Sequence, residues 1–441
     1  MTAGSINSAN GTVDITATDN IILSDGSIIA NTATLTATNG ELKQVLDAND
    51  AGHEIDATNL TVKAGEGVSL GSKENKLNNV YLDVSGGGIL IGNGNTGNEA
   101  MNVAVKTGVE TLTSDITIRN YNNLVSGESG NDINVEGNFK TTGNITFINE
   151  ESDIEVLADD TLEGNNITFE AAGDIFNYND ITANANVTFE AVDIFNTGNI
   201  KSTNGLVNLV ATEGIYNLGD SITTEVGNTD EGNTLRNITF KAGEYIVNTA
   251  SINSQADVNL EAGYAVFNII STDYDSAVLG YDGSTITTNG TITAEGDVTI
   301  TTNQQPDSSN SKVYGVYNSS NIIAGNNVKL DSETSINNKG SIKSQNGNVT
   351  LLAISNVNNS SNISAAYDVL LNSHANVINS GMIRAINGFV DLDATLDVTN
   401  SGPTIGSIAI SATCPTGAPG LHEIAAVKQP NSRARSSAPI T

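Results

Sequence analysis

The chain has almost none of the residues that build disulfides or thiolate metal sites. Its 441 residues include one cysteine, Cys414, and no tryptophan. One thiol cannot form an intrachain disulfide, and cysteine-based metal sites need several thiolates. The three histidines, His53, His374 and His422, are too far apart in sequence to indicate a metal site or a catalytic triad. The sequence therefore predicts no metal and no cofactor.

Basic residues and long apolar runs are also scarce. Eighteen Lys and Arg residues stand against 50 Asp and Glu residues, which gives a net charge of −32. Nucleic acids and anionic membranes both select basic surfaces, so neither is an expected partner. No uninterrupted apolar run approaches the roughly 20 residues of a membrane helix, so we expect no membrane insertion of this segment. Residues 1–20 lack the charged and apolar regions of a secretory signal.

What the chain does contain is a short apolar run ending on asparagine, repeated many times. Examples are DIFNYNDI (174–181), DIFNTGNI (193–200) and NVINSGMI (376–383). Successive positions are separated by about 20 residues, with two steps near 30, which indicates one repeat period and two insertions of about ten residues. Thr288 takes the asparagine's place between Asn268 and Asn318 in this alignment. The aligned asparagines are Asn177, Asn196, Asn217, Asn248, Asn268, Asn318, Asn337, Asn358, Asn379 and Asn400.

One complete repeat, residues 193–214, predicts the fold. It holds three short apolar runs, around Ile194, around Ile200 and from Val207 to Ala211, separated by Asn, Gly, Ser and Thr. Short alternating runs between turn residues are typical of strands. A unit this small can bury its apolar face only by stacking on copies of itself. The sequence therefore predicts an all-β, right-handed parallel β-helix, a solenoid of ~20-residue, three-strand coils.

The asparagines are predicted to be structural. Each follows the first strand of a coil, where the chain turns sharply, and Asn tolerates left-handed backbone angles better than other non-glycine residues. Its amide can also bond to the asparagines of the coils above and below, as in stacked amide ladders. A glycine two residues later, such as Gly198, fits the same corner. Asn196 is thus expected to stack between Asn177 and Asn217 and to have no catalytic role.

The regularity of the repeat changes along the chain. Residues 1–165 form less regular coils, and 4–17 have the pattern of second and third strands. Residues 166–413 form regular coils with insertions near 225–236 and 301–313. Residues 414–441 have no repeat character and hold four of the six prolines, which predicts a disordered tail. Because the pattern starts partway through a coil, we expect the chain to be an internal piece of a longer protein.

The repeat resembles those of filamentous haemagglutinin-type bacterial exoproteins. The resemblance rests on NTGNIKSTNGLVNLVA (196–211) and on the Gly-rich segment 59–93. It implies a shaft of a large adhesin, exported through an outer-membrane transporter by two-partner secretion or as an autotransporter passenger. It also implies secretion or display on the cell surface, where a host-cell or surface glycan or protein would be the receptor. The expected function is structural and adhesive, without catalysis.

A carbohydrate-binding or carbohydrate-active β-helix is the alternative. A polysaccharide lyase needs basic residues beside clustered acids, and only three arginines, Arg119, Arg236 and Arg384, lie in the repeat region. The best candidate for a glycan or calcium contact is the segment 271–283, which also fits an irregular acidic turn. Its candidate residues are Asp273, Tyr274, Asp275, Tyr281 and Asp282.

Overall fold

The computed structural model describes most of the repeat region. It describes residues 2, 3, 5–94, 100–105, 112–121, 132–157, 161–225, 236–270, 290–304 and 315–412. The chain divides into two compact units, unit 1 (Met1–Ala211) and unit 2 (Thr212–Thr441). All regular secondary structure in the described ranges is β-strand. These ranges contain no helix that is long and apolar enough to cross a membrane.

Unit 1 contains 23 strands within its described ranges. They are β1 (Thr2–Ala3), β2 (Ile6–Ala17), β3 (Ile21–Leu23), β4 (Ser27–Ala37), β5 (Glu41–Gln44), β6 (Glu54–Ala64), β7 (Gly67–Leu70), β8 (Lys76–Val84), β9 (Ile89–Asn93), β10 (Met101–Val105), β11 (Ile116–Asn120), β12 (Ile133–Glu136), β13 (Phe139–Lys140), β14 (Ile145–Asn149), β15 (Ile154–Val156), β16 (Thr161–Gly164), β17 (Ile167–Ala171), β18 (Ile175–Asn177), β19 (Asp180–Ala183), β20 (Val187–Ala191), β21 (Ile194–Asn196), β22 (Ile200–Ser202) and β23 (Val207–Ala211).

Unit 2 contains 22 strands within its described ranges. They are β24 (Gly214–Asn217), β25 (Ser221–Thr224), β26 (Ile238–Ala242), β27 (Tyr245–Asn248), β28 (Ser251–Ser254), β29 (Val258–Ala262), β30 (Ala265–Asn268), β31 (Ile292–Ala294), β32 (Val298–Thr302), β33 (Gly315–Asn318), β34 (Ile322–Ala324), β35 (Val328–Ser332), β36 (Ile336–Asn338), β37 (Ile342–Ser344), β38 (Val349–Ala353), β39 (Val357–Asn359), β40 (Ile363–Ala365), β41 (Val369–Ser373), β42 (Val377–Asn379), β43 (Ile383–Ala394), β44 (Val398–Asn400) and β45 (Thr404–Ala412).

In unit 2 the strands stack in three parallel columns, which confirms the predicted parallel β-helix. Column 1 is β24, β27, β30, β33, β36, β39, β42 and β44. Column 2 is β25, β28, β31, β34, β37 and β40, and column 3 is β26, β29, β32, β35, β38 and β41. The long strands β43 and β45 continue columns 2 and 3 together, across a register shift between Arg384 and Phe389.

Unit 1 has the same three columns in its C-terminal part. Column 1 is β10, β12, β15, β18 and β21; column 2 is β13, β16, β19 and β22; column 3 is β9, β11, β14, β17, β20 and β23. The repeat that begins with DIFNTGNI therefore forms β21, β22 and β23, one strand from each column.

The N-terminal coils differ from the predicted register. There β2, β4, β6 and β8 are single strands of 9 to 12 residues that pair in sequence, and β8 then pairs with β10 of column 1. The sequence pattern of 4–17 predicts second and third strands, whereas β2 leads into the column that later holds first strands. The short strands β3, β5 and β7 lead into β9 of column 3. Column 2 first appears at the bridge between Leu112 and Thr141, next to β13.

Most of the strands alternate between inward and outward side chains, as the period of two requires, although all four residues of β30 are buried. In β21, Ile194 and Asn196 are fully buried while Phe195 is half-buried. The interior positions of columns 2 and 3 are mainly Ile, Val, Leu and Ala. In unit 1 the interior also holds Phe147, Phe169 and Phe189, whose neighbouring ring centroids lie 5.1 and 4.8 Å apart. Each coil therefore buries its apolar side chains against equivalent residues of the next coil.

One predicted coil is absent from the register of unit 2. The sequence alignment places a coil carrying Thr288 between those of Asn268 and Asn318. Instead β30 pairs directly with β33, so Asn268 and Asn318 are partners in adjacent coils. Column 2 likewise pairs Ile252 directly with Ile292. Thr288 itself lies outside the described residues, as does most of each segment predicted as an insertion, 225–236 and 301–313.

Candidate functional site

A buried ladder of carboxamides runs along column 1 of unit 2. The Nδ2 of each asparagine donates to the Oδ1 of the asparagine in the next coil, with donor–acceptor distances of 2.6 to 2.9 Å. The ladder is Asn217, Asn248, Asn268, Asn318, Asn338, Asn359, Asn379 and Asn400. The members from Asn217 to Asn379 are at most 2% exposed. Burying an amide without a hydrogen-bond partner costs free energy, and the ladder avoids this cost because each buried amide bonds to the amide of a neighbouring coil.

Several of the same amides also close the corner after the first strand. Asn379 Nδ2 also donates to the carbonyl of Gly381, at 3.0 Å, and Asn248 does the same to Ala250. The expectation of left-handed backbone angles is wrong, because Asp50 is the one non-glycine residue with positive φ in the described ranges. A glycine follows at several corners because of close approach: a Cβ at Gly340 would lie 1.8 Å from the Ser320 carbonyl oxygen.

Two predicted ladder members are shifted by one residue. The sequence alignment placed Asn337 and Asn358 in the ladder, but the buried members are Asn338 and Asn359. The reason is the alternation of the strand. Ile336 points inward, so the inward residue two positions later is Asn338, and Asn337 faces outward. Asn337 and Asn358 instead bond to each other on the outer surface, at 2.8 Å.

In unit 1 the ladder has two parts. Asn177 Nδ2 donates to Asn196 Oδ1 at 2.7 Å, as predicted. A second buried series, which the repeat alignment missed, lies at the ends of the column 3 strands: Asn93 donates to Asn120, and Asn120 to Asn149, each at 3.2 Å. The signal was present in the strands ILIGN, ITIRN and ITFIN, each of which ends on asparagine at the same offset from two inward apolar residues.

Before the column 3 strands, a second set of Asn and Asp side chains caps the backbone of the next coil. The Oδ1 of Asp257 accepts from the backbone N–H of Asp297, and Asp297 Oδ1 accepts from that of Asn327, both at 2.8 Å. Asn327, Asn348 and Asp368 continue the pattern at 2.9 to 3.0 Å. These carboxamides and carboxylates are therefore engaged in coil-to-coil hydrogen bonds.

Outward positions of column 1 in unit 2 line a groove on the surface. Tyr317 of β33 stacks on Phe267 of β30, with ring centroids 4.9 Å apart and planes 11° apart. Together with Ile269, Asn318, Ser319, Asn337 and Lys339, these rings line an open groove of about 250 Å³. Burial raises the pKa of the Tyr317 phenol, so the ring stays neutral. An aromatic wall beside amide and ammonium groups can bind a small polar ring.

His53 in unit 1 is a buried titratable residue. Its side chain is 1% exposed, and its Nδ1 lies 2.8 Å from the Asp25 carbonyl oxygen, which makes Nδ1 the donor. Nε2 is buried without a hydrogen-bond partner. Burial lowers the pKa of His53, against the opposing effects of Asp25 and Glu54. His53 is therefore a neutral structural residue, and His374 lies in a different unit.

The acidic segment predicted as a glycan or calcium contact lies outside the described residues. Its candidate residues are Asp273, Tyr274, Asp275, Tyr281 and Asp282. Within the ranges that the structure describes, no three His, Cys, Asp or Glu side chains come together as a metal site would require. Comparison with known proteins adds no assignment: no protein-family model, no curated protein and no solved structure matches the chain.

Proposed function

We propose that the chain is a structural and adhesive shaft segment of a large bacterial exoprotein, secreted or displayed on the cell surface. The observation that supports this most is the use of side chains in the described coils. Inward positions pack on equivalent residues of neighbouring coils, and the amide ladders bond coil to coil. Side chains that pack and bond between coils allow many coils to stack, and they stabilise each coil against local unfolding. Both properties are required of a shaft.

The charge and the sequence resemblance support the same proposal. A net charge of −32 keeps a long surface soluble and disfavours association with nucleic acid. The resemblance to filamentous haemagglutinin-type repeats adds export through an outer-membrane transporter and a role outside the cell. In this proposal the shaft carries a receptor-binding region, for a glycan or a protein, and performs no catalysis.

The test is the location of the protein on the cells that produce it. Antibodies raised against the purified chain are applied to intact cells, and the culture medium is probed in parallel. We expect labelling of intact cells or full recovery from the medium, and loss of the surface signal after external protease. A cytosolic protein serves as the control for lysis. Detection only after the cells are broken open contradicts the proposal.

A further inference from the structure

We propose that the groove beside Tyr317, defined by Phe267, Ile269, Tyr317, Ser319, Asn337 and Lys339, binds an acidic sugar of a glycan chain. This rests on the adhesive function proposed above and deepens it, because it assigns one ligand class to one surface of the shaft. The groove lies within unit 2, and none of its lining residues belongs to the acidic segment 271–283 that the sequence singled out.

The floor and wall of the groove are aromatic and apolar. Phe267 and Ile269 are 7% and 4% exposed, and they belong to a buried cluster against which the half-buried Tyr317 packs. Since Tyr317 stacks on Phe267 with nearly parallel planes, its ring orientation is fixed before a ligand arrives. An aromatic ring with a negative π-face attracts the weakly positive C–H groups of a sugar ring, and a fixed ring loses little entropy on binding.

The rim carries an amide and an ammonium group that have no acceptor among the described residues. Asn337 Oδ1 accepts from Asn358, but Asn337 Nδ2 has no acceptor in the part of the chain that the structure describes. Lys339 is exposed, and its ammonium makes no ion pair with a carboxylate of the described residues. Lys339 is one of only 18 basic residues in a chain with 50 acidic ones, and it lines the same groove as Tyr317. Ammonium and amide donors match the carboxylate and hydroxyl groups of an acidic sugar.

The size and charge of the groove disfavour other occupants. Its volume, about 250 Å³, lies below the ~300–1,000 Å³ of sites for drug-sized ligands, so it admits a single ring of a longer chain. A nucleotide would bring two or more phosphate charges against the single ammonium of Lys339, whereas an acidic sugar brings one carboxylate that this ammonium can neutralise. A helical peptide needs a longer apolar groove than these side chains provide.

The test uses the whole chain and a panel of immobilised oligosaccharides. The panel contains uronate-bearing chains, sialylated chains and their neutral counterparts, so that the two sources of an acidic sugar are separated. We expect one acidic class to bind, and binding to weaken at least tenfold in Tyr317→Ala and at least fivefold in Asn337→Ala and in Lys339→Ala. Tyr317→Phe, which keeps the ring, should bind within threefold of the wild type.

The matched control is Phe176→Ala. Phe176 lies at the equivalent outward position of column 1 in unit 1, stacked on Phe195 with centroids 5.0 Å apart, but without the Lys339 rim. This variant should bind glycans like the wild type. If Tyr317→Ala does not fold, the exposed Lys339→Ala decides the test. The proposal is overturned by absence of binding to every acidic glycan, by equal binding of neutral counterparts, or by unchanged binding in Lys339→Ala.

Discussion

The register of the amide ladder gives the sharpest prediction, because it separates two adjacent asparagines. Asn338 is 1% exposed; it accepts from Asn318 and donates to Asn359, both at 2.7 Å. Replacing it with leucine leaves the buried Nδ2 of Asn318 without a partner, and it leaves Asn359 Oδ1 only the longer hydrogen bond from the Ser361 backbone N–H, at 3.4 Å. The unpaired donor costs about 1–3 kcal/mol and the lost second hydrogen bond about 0.5–1.5 kcal/mol, so Asn338→Leu should lower the free energy of unfolding by roughly 1.5–4.5 kcal/mol.

The matched variant is Asn337→Leu, one residue away in the same strand. Asn337 faces outward and exchanges a single half-buried hydrogen bond with Asn358. Its loss should cost about 0.5–1.5 kcal/mol. The assay is urea unfolding followed by far-ultraviolet circular dichroism, with both variants under the same conditions. Equal losses of stability, or a larger loss for Asn337→Leu, would refute the assignment of Asn338 to the buried ladder.

Three further substitutions probe a buried histidine, a tight corner and the second ladder. Burial lowers the pKa of His53 in the folded protein. The free energy of unfolding should therefore be constant well above the unfolded pKa of about 6.5, and it should decrease as the pH falls from that value through the folded pKa. In urea midpoints measured from about pH 7.5 to 4.5, His53→Gln should show a smaller decrease than the wild type. Gly340→Ala places a Cβ 1.8 Å from the Ser320 carbonyl oxygen and should cost about 1–3 kcal/mol in unfolding free energy, whereas an unchanged value would show that the corner can move. Asn120→Leu leaves the buried Nδ2 of Asn93 without its acceptor, whereas Asn149 Oδ1 keeps the backbone N–H groups of Glu151 and Ser152. It should destabilise unit 1 by about 1–3 kcal/mol, and the protection of β11 from hydrogen exchange should fall with it.

Much of the fold could be predicted from the sequence because each coil repeats the same local pattern. The strands of 193–214 and the pairing of Asn177 with Asn196 follow directly from the period and the turn residues. The error at Asn337 came from aligning on the first of two adjacent asparagines. The inward alternation from Ile336 fixes the choice, since both Ile175 and Ile336 precede the buried asparagine by two residues.

The repeat period of the sequence predicts neither the groove nor the register of the N-terminal strands. Tyr317 and Phe267 are 50 residues apart, and they become neighbours only because Asn268 pairs directly with Asn318. A chain with a constant period would have placed the Thr288 coil between them. Likewise, the long strand β2 and the later strand β43 carry similar sequence patterns but stack in different columns. The column in which a strand stacks depends on the strands of the neighbouring coils, so the sequence of one strand alone does not determine it.

Each coil of unit 2 should be an interchangeable structural unit, and deletion of one whole coil is the decisive measurement. Lys343 pairs with Ser364, so removal of residues 343–363 joins equivalent points of adjacent coils. We predict that this variant keeps the circular dichroism of a β-protein and a cooperative urea transition. Removal of 343–353 joins column 2 to the corner before column 1, and it should abolish that transition. If removal of 343–363 unfolds unit 2 as completely as removal of 343–353, the coils are not interchangeable and the account is contradicted.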